Sequence, residues 1–171
     1  MKRIAAGIAA LLLASCATTP QVDSASNDIH EFLIAIRDGD RAVFEQHVDR
    51  EALNTQLRSR VLAEAVRQGR GGDQVNTLAA LLGASVMGIA TDVLIQPEVF
   101  RAIAESRGYR PDAGMPSPML IARMVRPLGG DAVCVVFDSD GPCLLNFKNF
   151  GGAWRLIGFE GDLSMLRMGR S

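Results

Sequence analysis

Apolar residues recur along this chain first at helical spacing and then in alternation, and the period changes near Met119. Asn27 can cap a helix over 28–38 in which Ile29, Phe32, Leu33 and Ile36 share one face. Gly39 suits the residue after that helix, and Asp40 the N-cap of a short helix over 41–47. Asp49 opens a longer helix to about Gln68, with Leu53, Leu57, Val61, Leu62 and Ala65 inward, and Gly69, Gly71 and Gly72 close it. Residues 75–95 are apolar on nearly every side and predict a long central helix buried in the core. Its length would also suit a membrane span. Against that, Asn76, Thr77, Ser85, Thr91 and Asp92 dilute it, and no Lys or Arg cluster flanks it closely. Ala80, Ala84 and Gly88 line one stripe, where a neighbouring element could approach closely. Pro97 fits the first turn of a fifth helix running to Ser106. Residues 108–118, GYRPDAGMPSP, read as a loop.

Strands are expected over 120–128, 132–138, 143–150 and 153–160, separated by Gly129-Gly130-Asp131, Ser139-Asp140-Gly141 and Gly151-Gly152. Short turns between neighbouring strands favour an antiparallel meander. Phe137, Phe147, Phe150, Trp154 and Phe159 are expected to build the face on which the helices pack. The fold class that follows is α+β: about five N-terminal helices packed on a C-terminal four-stranded antiparallel meander.

The first residues carry a different signal. Lys2 and Arg3 precede Ile4–Leu13, an uncharged run too short to span a bilayer and of the right length for a signal-peptide core. Leu13-Ala14-Ser15-Cys16 then resembles the bacterial lipobox. In a lipobox a diacylglyceryl group is placed on the Cys sulfur, the signal is cut just before that residue, and the new amine is acylated. A thiolate is the nucleophile that such thioether formation needs. Each buried methylene contributes about 0.8 kcal/mol, and two or more chains make the attachment stable. The resemblance implies Cys16 as the lipid attachment site and the membrane as a partner through that anchor. With Ala17 rather than Asp following, it implies the outer membrane of a Gram-negative host, facing the periplasm. The expected organisation is a signal peptide over 1–15, lipidated Cys16 and a flexible tether over 16–27, one domain over 28–163 and a tail over 164–171.

Composition narrows the partners. The 171 residues carry a net charge of −1, and loss of Lys2 and Arg3 with the signal leaves 16 basic against 19 acidic residues, a net of −3. Charges are scattered without a basic patch in the sequence, which argues against nucleic acid. Of the 3 cysteines, Cys134 and Cys143 remain beside Cys16, in an oxidising compartment if the anchor reading holds. A two-residue turn at Ser139-Asp140 pairs Cys134 with Leu145 and offsets the thiols diagonally, whereas a turn at Asp138-Ser139 sets them opposite. A disulfide and two buried free thiols both remain open.

The segment AIRDGDRAVFEQHVDREALNTQLRSRVL, residues 35–62, resembles the opening of an uncharacterised bacterial family, domain of unknown function 2939. It has the family's short helix, Gly-Asp, Val-Asp step and helix rich in Leu, Arg and Gln, although Arg50-Glu51-Ala52-Leu53 is less apolar than the family's step. FKNFGGAWRLIGFEG, residues 147–161, is similar to the family's closing hairpin, where Trp follows a Gly turn. The resemblance spans about 28–163 and brings no catalytic residues.

Chemical motifs are sparse. Gly83-Ala84-Ser85-Val86-Met87 lacks the second Gly of a nucleophile elbow. Gly69-Arg70-Gly71-Gly72-Asp73-Gln74 lacks the third Gly of a dinucleotide loop. Asp138-Ser139-Asp140-Gly141 resembles the start of a calcium loop, but Asn149 stands where the closing Glu belongs. His30 and His47 have no Cys or His at ligand spacing and read as surface or capping residues, and Asp38, Asp40 and Asp49 as helix-end residues. The sequence therefore suggests no metal, no cofactor and no catalytic residue. It favours a non-enzymatic envelope module that binds a partner protein or apolar molecule. The alternative is a periplasmic hydrolase or transferase using scattered carboxylates such as Asp38, Asp92 and Glu160.

Overall fold

The structure is a computed structural model that describes residues 20–67, 93–106, 108–137 and 140–160. In these, five helices and four strands follow one another as α1 (Pro20–Asp38), α2 (Arg41–Gln46), α3 (Arg50–Arg67), α4 (Pro97–Ser106), α5 (Pro118–Ala122), β1 (Val125–Gly129), β2 (Ala132–Val135), β3 (Leu145–Phe150) and β4 (Ala153–Phe159). The strands form one antiparallel sheet in the order β1-β2-β3-β4, so the architecture is α+β with a meander.

The first helix begins earlier than its cap residues suggest. Pro20–Asn27, expected as tether, supply its first two turns, and Asn27 lies inside the helix. Burial explains this. Val22, Ala25, Ser26 and Ile29 continue the inward stripe of Phe32, Ala35 and Ile36, and the Ser26 hydroxyl is satisfied by donating to the Val22 carbonyl at 2.6 Å. Gly39, at φ +70°, ends the helix, and the Asp40 amide reaches back to the Ala35 carbonyl at 2.9 Å. Asp40 caps α2 through the Val43 amide, and Asp49 caps α3 through the Ala52 amide.

Inward residues of the sheet, Val133, Val135, Phe147, Trp154 and Leu156, meet α1 and α2 in a closed core. Phe32 sits at its centre, against Phe44 at 5.5 Å, Phe147 at 5.7 Å and Phe100 at 6.1 Å between ring centroids. A bulge between Asn146 and Phe147 lets Ile157 drop out of register, which turns Phe159 inward to meet Phe100.

β4 is an edge strand, and its outer edge is sealed. Asp28 accepts from the Trp154 amide at 2.7 Å. His47 and Asp49 exchange backbone bonds with Leu156, and Val48 bridges it in parallel. The Gln56 side-chain amide then both donates to and accepts from the Phe159 backbone, at 3.1 and 3.0 Å. With its amides occupied, this edge cannot template another strand. Arg50 ion-pairs with Glu45 and donates to the Ile95 carbonyl, which fixes the chain entering α4 to α3. That hydrogen-bonded guanidinium holds the Glu45 carboxyl below its ordinary pKa, against the opposing pull of burial.

Four expectations are corrected. Residues 118–122 form α5 rather than the start of a strand, because Ser117-Pro118 initiates a helix that buries Ile121 alone and leaves Met119 and Leu120 outside. Phe137 and Phe150 do not join the helix-covered face; they are 77% and 40% exposed. Of the two roles expected for His47, surface is corrected, since it is only 6% exposed, while capping holds: it is the C-cap of α2, its amide donating to the Phe44 carbonyl. Neither two-residue turn forms between β2 and β3: Cys134 lies opposite Asn146, and residues 136–144 make a longer connection. Cys143 in this connection is joined to Cys134 of β2 as a disulfide, their Cα atoms 5.4 Å apart.

Closing a loop of this size should contribute about 2.5 kcal/mol by restricting the unfolded chain. Reduction, or the double change Cys134→Ala/Cys143→Ala, is therefore expected to lower the urea midpoint measurably. An identical midpoint with and without reductant would show that the bond contributes nothing.

The long helix expected over 75–95 falls almost wholly outside the described residues; of it, Val93 is exposed and Ile95 buried, and the chain bends at Ile95-Gln96 before α4. The stripe Ala80, Ala84 and Gly88 lies outside them as well, and Val61, Leu62 and Ala65 fall outside the described side chains. Among the described residues no helix is long and apolar enough to cross a membrane.

Candidate functional site

Of the carboxylates named by the sequence for catalysis, the two among the described residues, Asp38 and Glu160, do not converge as a reactive pair. Asp38, at the end of α1, is held by two bonds from Arg37 at 2.7 and 2.9 Å, which lower its pKa. Glu160 follows β4 and pairs with Arg60 at 3.1 Å, the same guanidinium that donates to the Phe159 carbonyl at 2.6 Å. Asp92 lies outside the described residues, as do Cys16, the Gly69–Gln74 and Gly83–Met87 segments, Asp138 and Ser139. An open groove of about 510 Å³ runs along the start of α3, lined by Asp49, Glu51, Ala52, Thr55 and Gln56. Two of its polar groups already serve the fold: Asp49 caps the helix, and Gln56 pairs with β4. Asn149, which stands where a calcium loop would end, accepts instead from the Gly152 amide at 2.8 Å. Among the described residues no group of three or more His, Cys, Asp or Glu side chains comes together.

Both histidines connect elements. His30 Nδ1 meets the Pro116 carbonyl at 2.9 Å and so ties the 108–117 loop to α1. His47 Nδ1 lies 3.3 Å from the Trp154 carbonyl. A carbonyl can only accept, so that nitrogen carries the proton in this contact. Nε2 faces Glu31 at 3.5 Å. Trp154 is thus gripped from three places: Asp28 on its amide, His47 on its carbonyl and Ser24 on its indole N–H at 3.1 Å.

The sheet face turned away from the core sets two cations around one aromatic ring. Lys148 and Arg155 stand directly opposite each other on β3 and β4, in register. Both are exposed, and both lean on Phe150, with Nζ at 5.6 Å and Cζ at 5.7 Å from its ring centroid. Among the described residues neither cation has a carboxylate partner. Sequence reading missed this trio, although a signal was available. Gly151-Gly152 both have positive φ, at 65° and 107°, as a two-residue hairpin turn requires. Folding the chain about that turn sets position 148 against 155 and position 150 against 153.

The comparisons bear on the helical half of the chain. A family model described as Protein of unknown function (DUF2939) matches residues 9–103. No curated protein and no solved structure matches the chain. The matched span contains the 35–62 segment with its Gly39-Asp40 and Val48-Asp49 steps and stops before the closing hairpin at 147–161. Of the extent expected from resemblance, 28–163, the match supports residues 28–103 and reaches back to residue 9; residues 104–163 lie outside it. With more than half of its length matched, the chain belongs to the family of proteins of unknown function DUF2939.

Proposed function

We propose that this chain is a lipid-anchored protein of the bacterial cell envelope. Its folded domain serves as a non-catalytic interaction module at the periplasmic membrane surface. The observation that carries the reading is the order Lys2-Arg3, Ile4–Leu13, Leu13-Ala14-Ser15-Cys16: charge, apolar run, small residues and thiol in the sequence that lipid attachment requires. Two structural features support an interaction role. Asp38 and Glu160 are each engaged by an arginine. Met119, Leu120 and Leu128 are exposed apolar side chains that a partner protein or apolar ligand could cover. Since α1 starts at Pro20, the domain would sit close against the lipid rather than at the end of a long tether.

Cys16→Ser tests the anchor. The variant is expected to accumulate as a precursor of higher mass that no longer partitions with membranes. Processing and partitioning identical to the parent chain would overturn the proposal. Crosslinking of the parent chain in intact cells then identifies what it meets.

A further inference from the structure

Two cations set opposite each other on neighbouring strands repel, and an ordinary sheet surface would pair each with a carboxylate. Lys148 and Arg155 are so placed, and what they share is an aromatic ring that remains 40% exposed between them. An anion resting on the pair would relieve the repulsion, while the ring offers an apolar surface of the kind that sits at headgroup depth.

Position supplies the second half of the argument. In the meander the β1–β2 and β3–β4 turns lie at one end of the sheet and the β2–β3 connection at the other. The first turns of α1 lie at that same end as the two tight turns: Gln21 donates to the Gly130 carbonyl at 3.1 Å, and Ser24 receives the Trp154 indole at 3.1 Å. Phe150 directly precedes Gly151-Gly152, so the cationic pair and its ring flank this end. Cys16 is four residues before Pro20, and four residues reach at most about 14 Å. An acyl group on Cys16 would therefore hold this end of the sheet, and no other, against the bilayer.

We infer that Lys148, Phe150 and Arg155 form a docking face for anionic phospholipid headgroups. The ammonium and guanidinium groups bind lipid phosphate, and the ring settles among the headgroups. This orients the domain that the anchor merely retains, and it rests on the anchor reading. The charge complementarity is local: the chain without its signal is acidic overall, at −3, so a negative membrane attracts this face selectively.

The test uses the full chain purified from cells with its native N-terminus and carrying Phe150→Trp, an exposed position. It is reconstituted into vesicles of phosphatidylcholine alone or mixed with phosphatidylglycerol, each with brominated acyl chains that quench a nearby indole. The parent chain gives the background from buried Trp154. The indole at position 150 is expected to be quenched in phosphatidylglycerol vesicles only. Adding Lys148→Gln and Arg155→Gln should lower the ratio of docked to undocked protein roughly 30-fold, as should high salt in direction. Equal quenching in both vesicles, no quenching in either, or quenching indifferent to the two glutamines overturns the inference. The absence of quenching includes the case in which a co-purified protein covers the face. Mass measurement of the N-terminus separates this from the anchor itself. An unacylated chain that still sediments with phosphatidylglycerol vesicles overturns the anchor and keeps the face; one that does not sediment overturns both.

Discussion

Phe32→Ala is expected to lower the free energy of unfolding by about 3–5 kcal/mol, the range for a large side chain removed from a closed core. Phe32 is fully buried, and its ring touches three others drawn from three different elements: Phe44 of α2, Phe100 of α4 and Phe147 of β3. Removing it opens a cavity that no single neighbour can fill, because each of those rings is held by its own element. Edge-to-face and stacked contacts add about 0.5–1.5 kcal/mol per pair beyond the area buried. Phe32→Leu keeps much of the volume and should cost about half as much. Urea unfolding followed by Trp154 fluorescence and by circular dichroism measures both. A loss under about 1 kcal/mol for the alanine variant would mean that the helices close over the gap, and that the aromatic cluster is not the keystone of the core.

The part of the fold that rests on local pattern was legible in the sequence. Ile29, Phe32, Leu33 and Ile36 predict one helix face, and the structure buries all but Leu33, which packs half-buried against the core. Gly39-Asp40 marks a helix end and a new start, and the two caps form there. The meander follows from its turns. What escaped prediction has two physical causes. The first is ambiguity of short segments: Pro20–Asn27 is polar enough to pass for a linker, and only the tertiary burial of Val22, Ala25 and Ser26 makes it helical. Met119-Leu120-Ile121 is an apolar run whose period cannot be read in so few residues. The Asp140-Gly141 pair suggests a tight hairpin, yet Pro142 has no amide to donate and the Cys134–Cys143 bond holds a wider connection.

The second cause is distance along the chain. The groups that seal β4, namely Asp28, His47 and Gln56, meet partners more than 100 residues away, and nothing in their own neighbourhoods announces it. The same holds for the candidate docking face. Lys148, Phe150 and Arg155 could be brought together on paper from the Gly151-Gly152 turn, but their relation to Cys16 depends on where α1 crosses the sheet. That crossing is recorded in the Gln21–Gly130, Ser24–Trp154 and Asp28–Trp154 bonds.

Trp154→Ala should cost about 3–5 kcal/mol as well, for reasons that a conservative change can separate. The indole is buried, on the inward face of β4, and its N–H reaches Ser24 in the second turn of α1. The backbone of the same residue is held by Asp28 and His47. Those backbone bonds survive substitution, so the strand edge should stay sealed while the core beneath it loses volume. Trp154→Phe retains most of the apolar contact and removes the indole donor together with part of the ring. Its cost should fall to roughly 1–2 kcal/mol, one hydrogen bond and a small cavity. Ser24→Ala isolates the hydrogen bond; because Ser24 is exposed and water can replace it, that variant should cost no more than about 0.5–1 kcal/mol. If Trp154→Phe proves as damaging as Trp154→Ala, the indole donor carries more than its volume, and the Asp28 and Gln21 bonds do not compensate for its loss. If all three variants are mild, the helix is held by the Asp28 and Gln21 contacts instead. In that case the geometry joining the anchor end of α1 to the Lys148–Arg155 face would persist without the tryptophan.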